Sequence, residues 1–202
     1  MTIHRIFPEP IYFSKLKRVL TKEELRMIHK VKKKKNSNEG NTASYDKYVL
    51  NNKALKNLKK DLHKMIIDYF DTIVCTDDST IPYITQSWIN YTTINQSHHR
   101  HSHANSYISG VFYIDAKKGV DKINFYKPGH RELVLNIDRI NNFNSGSWWF
   151  SVETGDVVLF PSYLEHGVGN KKGTNTRISL SFNVFLKGHM GNINESTELV
   201  LA

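Results

Sequence analysis

The sequence predicts a mostly β protein, an antiparallel sandwich or jelly roll with two N-terminal helices packed outside it. From Ile81 onward the chain breaks into short alternating runs, rich in aromatic and β-branched residues, with no helical pattern between them. Turn signals separate the runs: Lys118-Gly119, Pro128-Gly129, Asn144-Ser145-Gly146, Thr154-Gly155 and Lys171-Lys172-Gly173. Before Ile81 the apolar residues instead recur at three and four, the spacing of one helix face.

Taken in order, residues 3–14 read as an extended edge segment, because Pro8 and Pro10 cannot donate to a central ladder. Thr21-Lys22-Glu23-Glu24 is a capping box, so a helix starts at Lys22. Leu25, Ile28 and Val31 supply its narrow apolar stripe, and it should fray in the block Lys32 to Lys35. Residues 36–43, polar with a glycine, read as a surface loop. A second helix fits residues 52–72, where Leu55, Leu58, Leu62, Met65, Ile66 and Tyr69 share a face. Strands are expected at 83–94, 107–114, 122–126, 132–137, 147–152, 156–160 and 176–186. With no internal repeat and 202 residues, the chain reads as one domain: a helical flank (1–80), a β core (81–187) and a C-terminal tail (188–202).

Composition narrows the function classes. No run has the length of a membrane span, and the opening Met1-Thr2-Ile3-His4-Arg5-Ile6-Phe7-Pro8 lacks a signal-peptide core. Cys75 is the single cysteine and cannot form an intrachain disulfide, so the expectation is a cytoplasmic protein. A net charge of +9, concentrated in the lysines before residue 61, raises the question of an acidic or macromolecular partner. No aromatic stacking pattern or nucleic-acid motif accompanies that charge, and a solvated face accounts for it. A homodimer stays open.

The chemistry concentrates in three passages. Ser97-His98-His99-Arg100-His101-Ser102-His103 opens the first core run, and in a strand His101 and His103 project from one face. About sixty residues later, the short apolar run ending at Pro161 is followed by His166. Two histidines on one strand and a third on a neighbour make a metal site with an open coordination face. Arg177 follows, with Ser179 on the same face: a planar guanidinium fork and a hydroxyl suited to a carboxylate ligand. The alternatives are a merely polar histidine-rich loop, and an Arg177 paired with Glu165 or Asp156.

These elements together resemble the family of small bacterial and phage 2-oxoglutarate/Fe(II)-dependent oxygenases. The resemblance rests on Ser87-Trp88-Ile89-Asn90, His101-x-His103, Asn105-Ser106, Ser109-Gly110-Val111-Phe112-Tyr113, Leu159-Phe160-Pro161-Ser162 with Leu164 and His166, and Arg177-Ile178-Ser179-x-Ser181-Phe182-Asn183. It implies a double-stranded β-helix, Fe(II), 2-oxoglutarate and O2, with a substrate oxidised as 2-oxoglutarate is decarboxylated. Hydroxylation is the default outcome. It further implies His101, His103 and His166 as metal ligands, Arg177 and Ser179 as the carboxylate clamp, and Asn90 and Tyr113 as cosubstrate contacts. A phage-encoded member would act in the host cytoplasm. The wider superfamily has an aspartate where His103 stands, and Ala104 replaces the family's usual proline.

Two other classes compete. Gly155, Pro161, His166 and Asn170 fall at the spacing of a cupin motif, which suits an isomerase or small-molecule sensor, although the glutamate of the first cupin motif has no counterpart. The basic surface suits a nucleic-acid-binding module. Tyr107, Tyr126, Trp148, Trp149 and Tyr163 are candidates either for a substrate cleft or for the core.

Overall fold

The computed structural model describes residues 2–35, 40–129, 133 and 135–202. Its strands are β1 (Tyr12–Lys15), β2 (Lys33–Lys35), β3 (Thr42–Ser44), β4 (Thr80–Thr92), β5 (His98–His101), β6 (Ile108–Asp115), β7 (Lys122–Tyr126), β8 (Ser147–Ser151), β9 (Asp156–Pro161), β10 (His166–Val168), β11 (Arg177–Met190) and β12 (Leu199–Leu201). Two helices, α1 (Lys22–Lys30) and α2 (Lys56–Tyr69), complete the frame. The large sheet runs β1-β9-β6-β11-β4-β3-β2, with β12 added beside β11, and the small one runs β5-β10-β7-β8. The ladders between strands are antiparallel, the jelly-roll arrangement that the strand pattern implied.

Alternation along β11 sorts the large sheet into two faces. Ile178, Leu180, Phe182 and Val184 point to the helices and pack with Ile28 of α1 and Leu58, Leu62 and Ile66 of α2. Each such fully buried side chain contributes about 1.5–3 kcal/mol of transfer free energy. Gly110 of β6 is required by this packing, since a Cβ there would lie 2.2 Å from the Phe182 ring. The opposite face meets the small sheet through Val111, Val158 and Phe160 against Ile123 and Phe125. Arg177, Ser179, Ser181 and Asn183 also lie on this inner side, and their polarity leaves room for a pocket instead of a second apolar core.

The capping box is present: Thr21 Oγ1 accepts from the Glu24 N–H at 3.2 Å, and Glu24 Oε2 accepts from the Thr21 N–H at 2.7 Å. The helix does not fray into the lysine block. It stops at Lys30, and Lys33–Lys35 form β2, paired with β3. Three exposed lysines on an edge strand oppose edge-to-edge association, and tertiary pairing outweighs their weak strand propensity. The expected loop at 36–43 therefore ends early, with Thr42 and Ala43 in β3, while 36–39 lie outside the described residues. The second helix is regular only over Lys56–Tyr69, between two 3₁₀ turns before it and a wider turn, Phe70–Val74, after it. Of the strand expected at 132–137, Glu132 and Val134 lie outside the described residues, and the others form no strand. Apolar alternation is no guide where the chain has no partner strand. Strand β11 continues past Leu186 to Met190, and β12 pairs with that extension. Among the described residues no helix is long and apolar enough to cross a membrane.

Candidate metal centre and anion pocket

Pairing across the small sheet places His166 of β10 directly opposite His101 of β5, so their side chains share a face. His103 does not share a strand with His101 as expected, because β5 ends at His101; it follows in the turn, held where its N–H donates to the Ser162 carbonyl at 3.0 Å. Ring centres lie 4.4 Å apart for His101–His166, 4.9 Å for His101–His103 and 5.1 Å for His103–His166. One nitrogen from each lies within 4.8 Å of the other two. Imidazoles bound at right angles to one another on a metal at about 2.1 Å would have ring centres about 4.6 Å apart. The donor set fits a divalent transition ion.

Backbone carbonyls orient two of the rings. His101 Nδ1 lies 2.8 Å from the His99 carbonyl, and His166 Nδ1 lies 3.0 Å from the Leu164 carbonyl. A carbonyl only accepts, so each Nδ1 carries the proton and each Nε2 keeps a lone pair for a metal. Burial above all, then the neighbouring His101, holds the His166 imidazole down to about 3 against the pull of the Leu164 carbonyl, with His103 and His98 adding to the depression. It is thus neutral at pH 7, the state in which imidazole ligates.

The motif residues around His103 act on its loop. The hydroxyls of Ser106, Ser162 and Ser109 form a chain with spacings of 2.7 and 2.8 Å, ending on Asn183 Oδ1 3.2 Å from Ser109. Asn105 turns the chain at φ 53°, a left-handed conformation that asparagine tolerates. Trp88 lines the pocket beside this loop, its ring 5.6 Å from that of His103.

The large sheet supplies the other half. Ser179 of β11 is opposite Asn90 of β4 and Tyr113 of β6, forming one polar row across three strands. Arg177 lies one pair further along, opposite Thr92. All four of the expected cosubstrate residues, Arg177, Ser179, Asn90 and Tyr113, line the same pocket as the three histidines. Arg177 is 3% exposed, yet among the described residues no carboxylate forms an ion pair with it. Its Nη1 donates to the Lys122 carbonyl at 3.3 Å and its Nη2 to Thr92 Oγ1 at 3.2 Å, while Nε has no partner. Burial pushes its pKa below the ordinary arginine value, opposed by Tyr113 and Asp121. The alternative pairings fall away: Glu165 is taken by Arg100, whose Nε donates to it at 2.9 Å, and Asp156 lies 3.9 Å from Lys15. Burial likewise raises the Tyr113 phenol, keeping it protonated.

Asp121 is the carboxylate next in line, adjacent in sequence to the Lys122 carbonyl that Arg177 touches. It is instead engaged by Lys171, whose Nζ lies 3.3 Å away in a fully buried pair. Asn175 braces both, accepting from Lys171 at 2.8 Å and donating to Asp121 at 3.1 Å. Sequence reading missed this pair, which has no local signature. It also missed Thr92, two residues from Asn90, and gave no role to Ser181, which it named only as part of the motif. The candidate aromatics fall outside the pocket: Tyr107, Trp148, Trp149 and Tyr163 are exposed, and Tyr126 and Trp148 line a neighbouring groove.

A jelly roll with converging imidazoles on one sheet and, on the other, a buried arginine with no carboxylate partner among the described residues offers a place for a metal ion beside an anionic ligand. Residues 86–183 match the family model described as "putative 2OG-Fe(II) oxygenase". That stretch carries the signature of a 2-oxoglutarate/Fe(II)-dependent oxygenase, a domain type that calls for Fe(II) and 2-oxoglutarate. Solved structures show the same fold at low identity. HygX from Streptomyces hygroscopicus, with nickel and 2-oxoglutarate bound, is 10% identical over 87% of this chain and 82% of its own, with a TM-score of 0.59. A prolyl-4-hydroxylase from Pseudomonas putida is 12% identical over 87% and 92%, at 0.54. A prolyl hydroxylase from Trichoplax adhaerens is 12% identical over 87% and 83%, at 0.56. No curated protein sequence matches.

Proposed function

We propose that this oxygenase is a hydroxylase in which His101, His103 and His166 hold the iron and Arg177 receives the distal carboxylate of 2-oxoglutarate. One observation carries the assignment: the pocket bounded by the three histidines also contains a buried guanidinium whose Nε is unpaired, beside an unpaired Asn90 Oδ1. No carboxylate lines that pocket among the described residues. The iron and Arg177 then bring three formal positive charges to a site with no protein anion, and the cosubstrate dianion offsets two of them. His103, in the position where the superfamily places aspartate, makes the pocket depend on its anionic ligand for charge balance.

Iron, when bound, supplies activation of O2 and oxidation of the substrate. The protein's part is positional. Arg177 presents Nε and one edge of its fork to a carboxylate, Ser179 adds a hydroxyl, and Asn90 is held by donating from Nδ2 to Ser181 Oγ at 3.1 Å. The protonated Tyr113 has a proton to donate. The substrate we propose is an acidic or macromolecular one, supported by the basic surface.

Anaerobic titration with Fe(II) and then 2-oxoglutarate tests the assignment through the visible metal-to-ligand charge-transfer band. The band is expected in the wild type and lost in both His166→Ala and Arg177→Ala. Stoichiometric metal without a band would instead favour a cupin-type protein without oxygenase chemistry.

A further inference from the structure

Strand β5 carries an irregularity that its sequence conceals. His166 faces His101 and Val168 faces His98, so two steps along β10 match three along β5. That extra residue is a bulge, which re-aims side chains that simple alternation would put on opposite faces. Gly167 lies across from it, and a Cβ there would sit 3.1 Å from both the His98 and the His99 carbonyls. The outcome is a second histidine group. The His98 ring stacks on His101 with centres 4.5 Å apart, His99 lies 4.9 Å from His101, and His98 and His99 are 5.6 Å apart. One nitrogen from each of the three lies within 4.8 Å of the others, the same spread as in the inner set.

The two groups share His101 and are graded in exposure. His99 is exposed, His98 and His101 are half-buried, and His166 is 6% exposed at the inner end. We propose that His98, His99 and His101 form an outer site for a divalent transition ion at the mouth of the pocket, which captures the ion and passes it inward through His101. Imidazole is a suitable ligand for such ions. Because His101 belongs to both groups, the two sites are alternative positions for one ion. Transfer inward exchanges His98 and His99 for His103 and His166 without releasing His101. The outer site stands on its own geometry; its loading role rests on the inner histidines being the resting metal site.

Co(II) is the probe, read by its visible absorption and by calorimetry. A His103→Ala/His166→Ala chain should still bind one Co(II), about tenfold or more weakly than the wild type. Adding His98→Ala and His99→Ala should abolish that binding. A His98→Ala/His99→Ala chain with the inner set intact should reach the same final Co(II) stoichiometry, but take the ion from a chelator several-fold more slowly. The proposal is overturned if the folded His103→Ala/His166→Ala chain binds no Co(II), or binds it regardless of His98 and His99. Unchanged uptake kinetics in the His98→Ala/His99→Ala chain would overturn it equally, and that variant keeps every inner ligand. Loss of the inner-site assignment would be read separately, as wild-type Co(II) binding that survives His166→Ala.

Discussion

The two sheets divide the chemistry between them and are built differently. The small sheet presents imidazole nitrogens from short strands: β10 has 3 residues and β5 has 4, with a bulge. The large sheet presents a fixed charge from its long central strands, β4 with 13 residues and β11 with 14. A metal ion forms strong bonds to its ligands and draws them into place, so short strands with a half-exposed edge are sufficient for it. A buried guanidinium has no such help. It stays charged in a low-dielectric interior only where the surrounding ladder leaves it no alternative position. The long ladders therefore lie under Arg177, and the short strands under the histidines.

The sharpest way to break this division is to remove the charge from the large sheet. Arg177→Ala should weaken 2-oxoglutarate binding by about 2–5 kcal/mol while leaving metal affinity near the wild-type value. Calorimetry with Co(II) and with 2-oxoglutarate on the Co(II)-loaded protein separates the two. A comparable fall in both would mean that the sheets act as one unit.

A smaller effect is expected on the other side, in the metal-free protein. His166 has its pKa lowered to about 3, against an ordinary value of 6.5. Between those values the unfolded chain holds a proton that the folded one does not, so stability falls as pH drops from 6.5 towards 3. The slope from this residue is up to about 1.4 kcal/mol per pH unit. Urea midpoints at pH 7 and pH 5 should therefore differ more in the wild type than in His166→Gln.

The third effect tests what keeps Arg177 available. Lys171→Met leaves Asp121 buried without its cation, next to the segment that Arg177 touches. We expect 2-oxoglutarate affinity to fall by about tenfold, or 1.4 kcal/mol, with recovery in Lys171→Met/Asp121→Asn. A drop in thermal stability with unchanged 2-oxoglutarate affinity would make the pair merely structural.

Much of the site was legible because strand periodicity is a local property. Arg177 and Ser179 share a face of β11 at two-residue spacing, whereas His103 lies beyond the end of β5 and is brought to His101 by the turn, not by alternation. Asn90 and Tyr113 were supplied by the family resemblance, and alternation within β4 and β6 did not single them out. Nor did alternation reveal that Asn90, Ser179 and Tyr113 form one row, which depends on the register of three strands. The lysine block was misread for a related reason: its structure comes from pairing with Thr42–Ser44, not from its own propensity.

By itself, then, the sequence determined the β class, the capped first helix, and the donors and charges available to the pocket, all readable within a few residues of chain. Only the tertiary structure decided that His166 faces His101, that a bulge opposite Gly167 brings His98 to the same face, and that Lys171 holds Asp121 while Arg177 is left for a ligand. Each of these is a contact between residues distant in sequence. Strand register, a bulge and a buried ion pair are set by competition among whole packed arrangements, and no short window of residues encodes the winner.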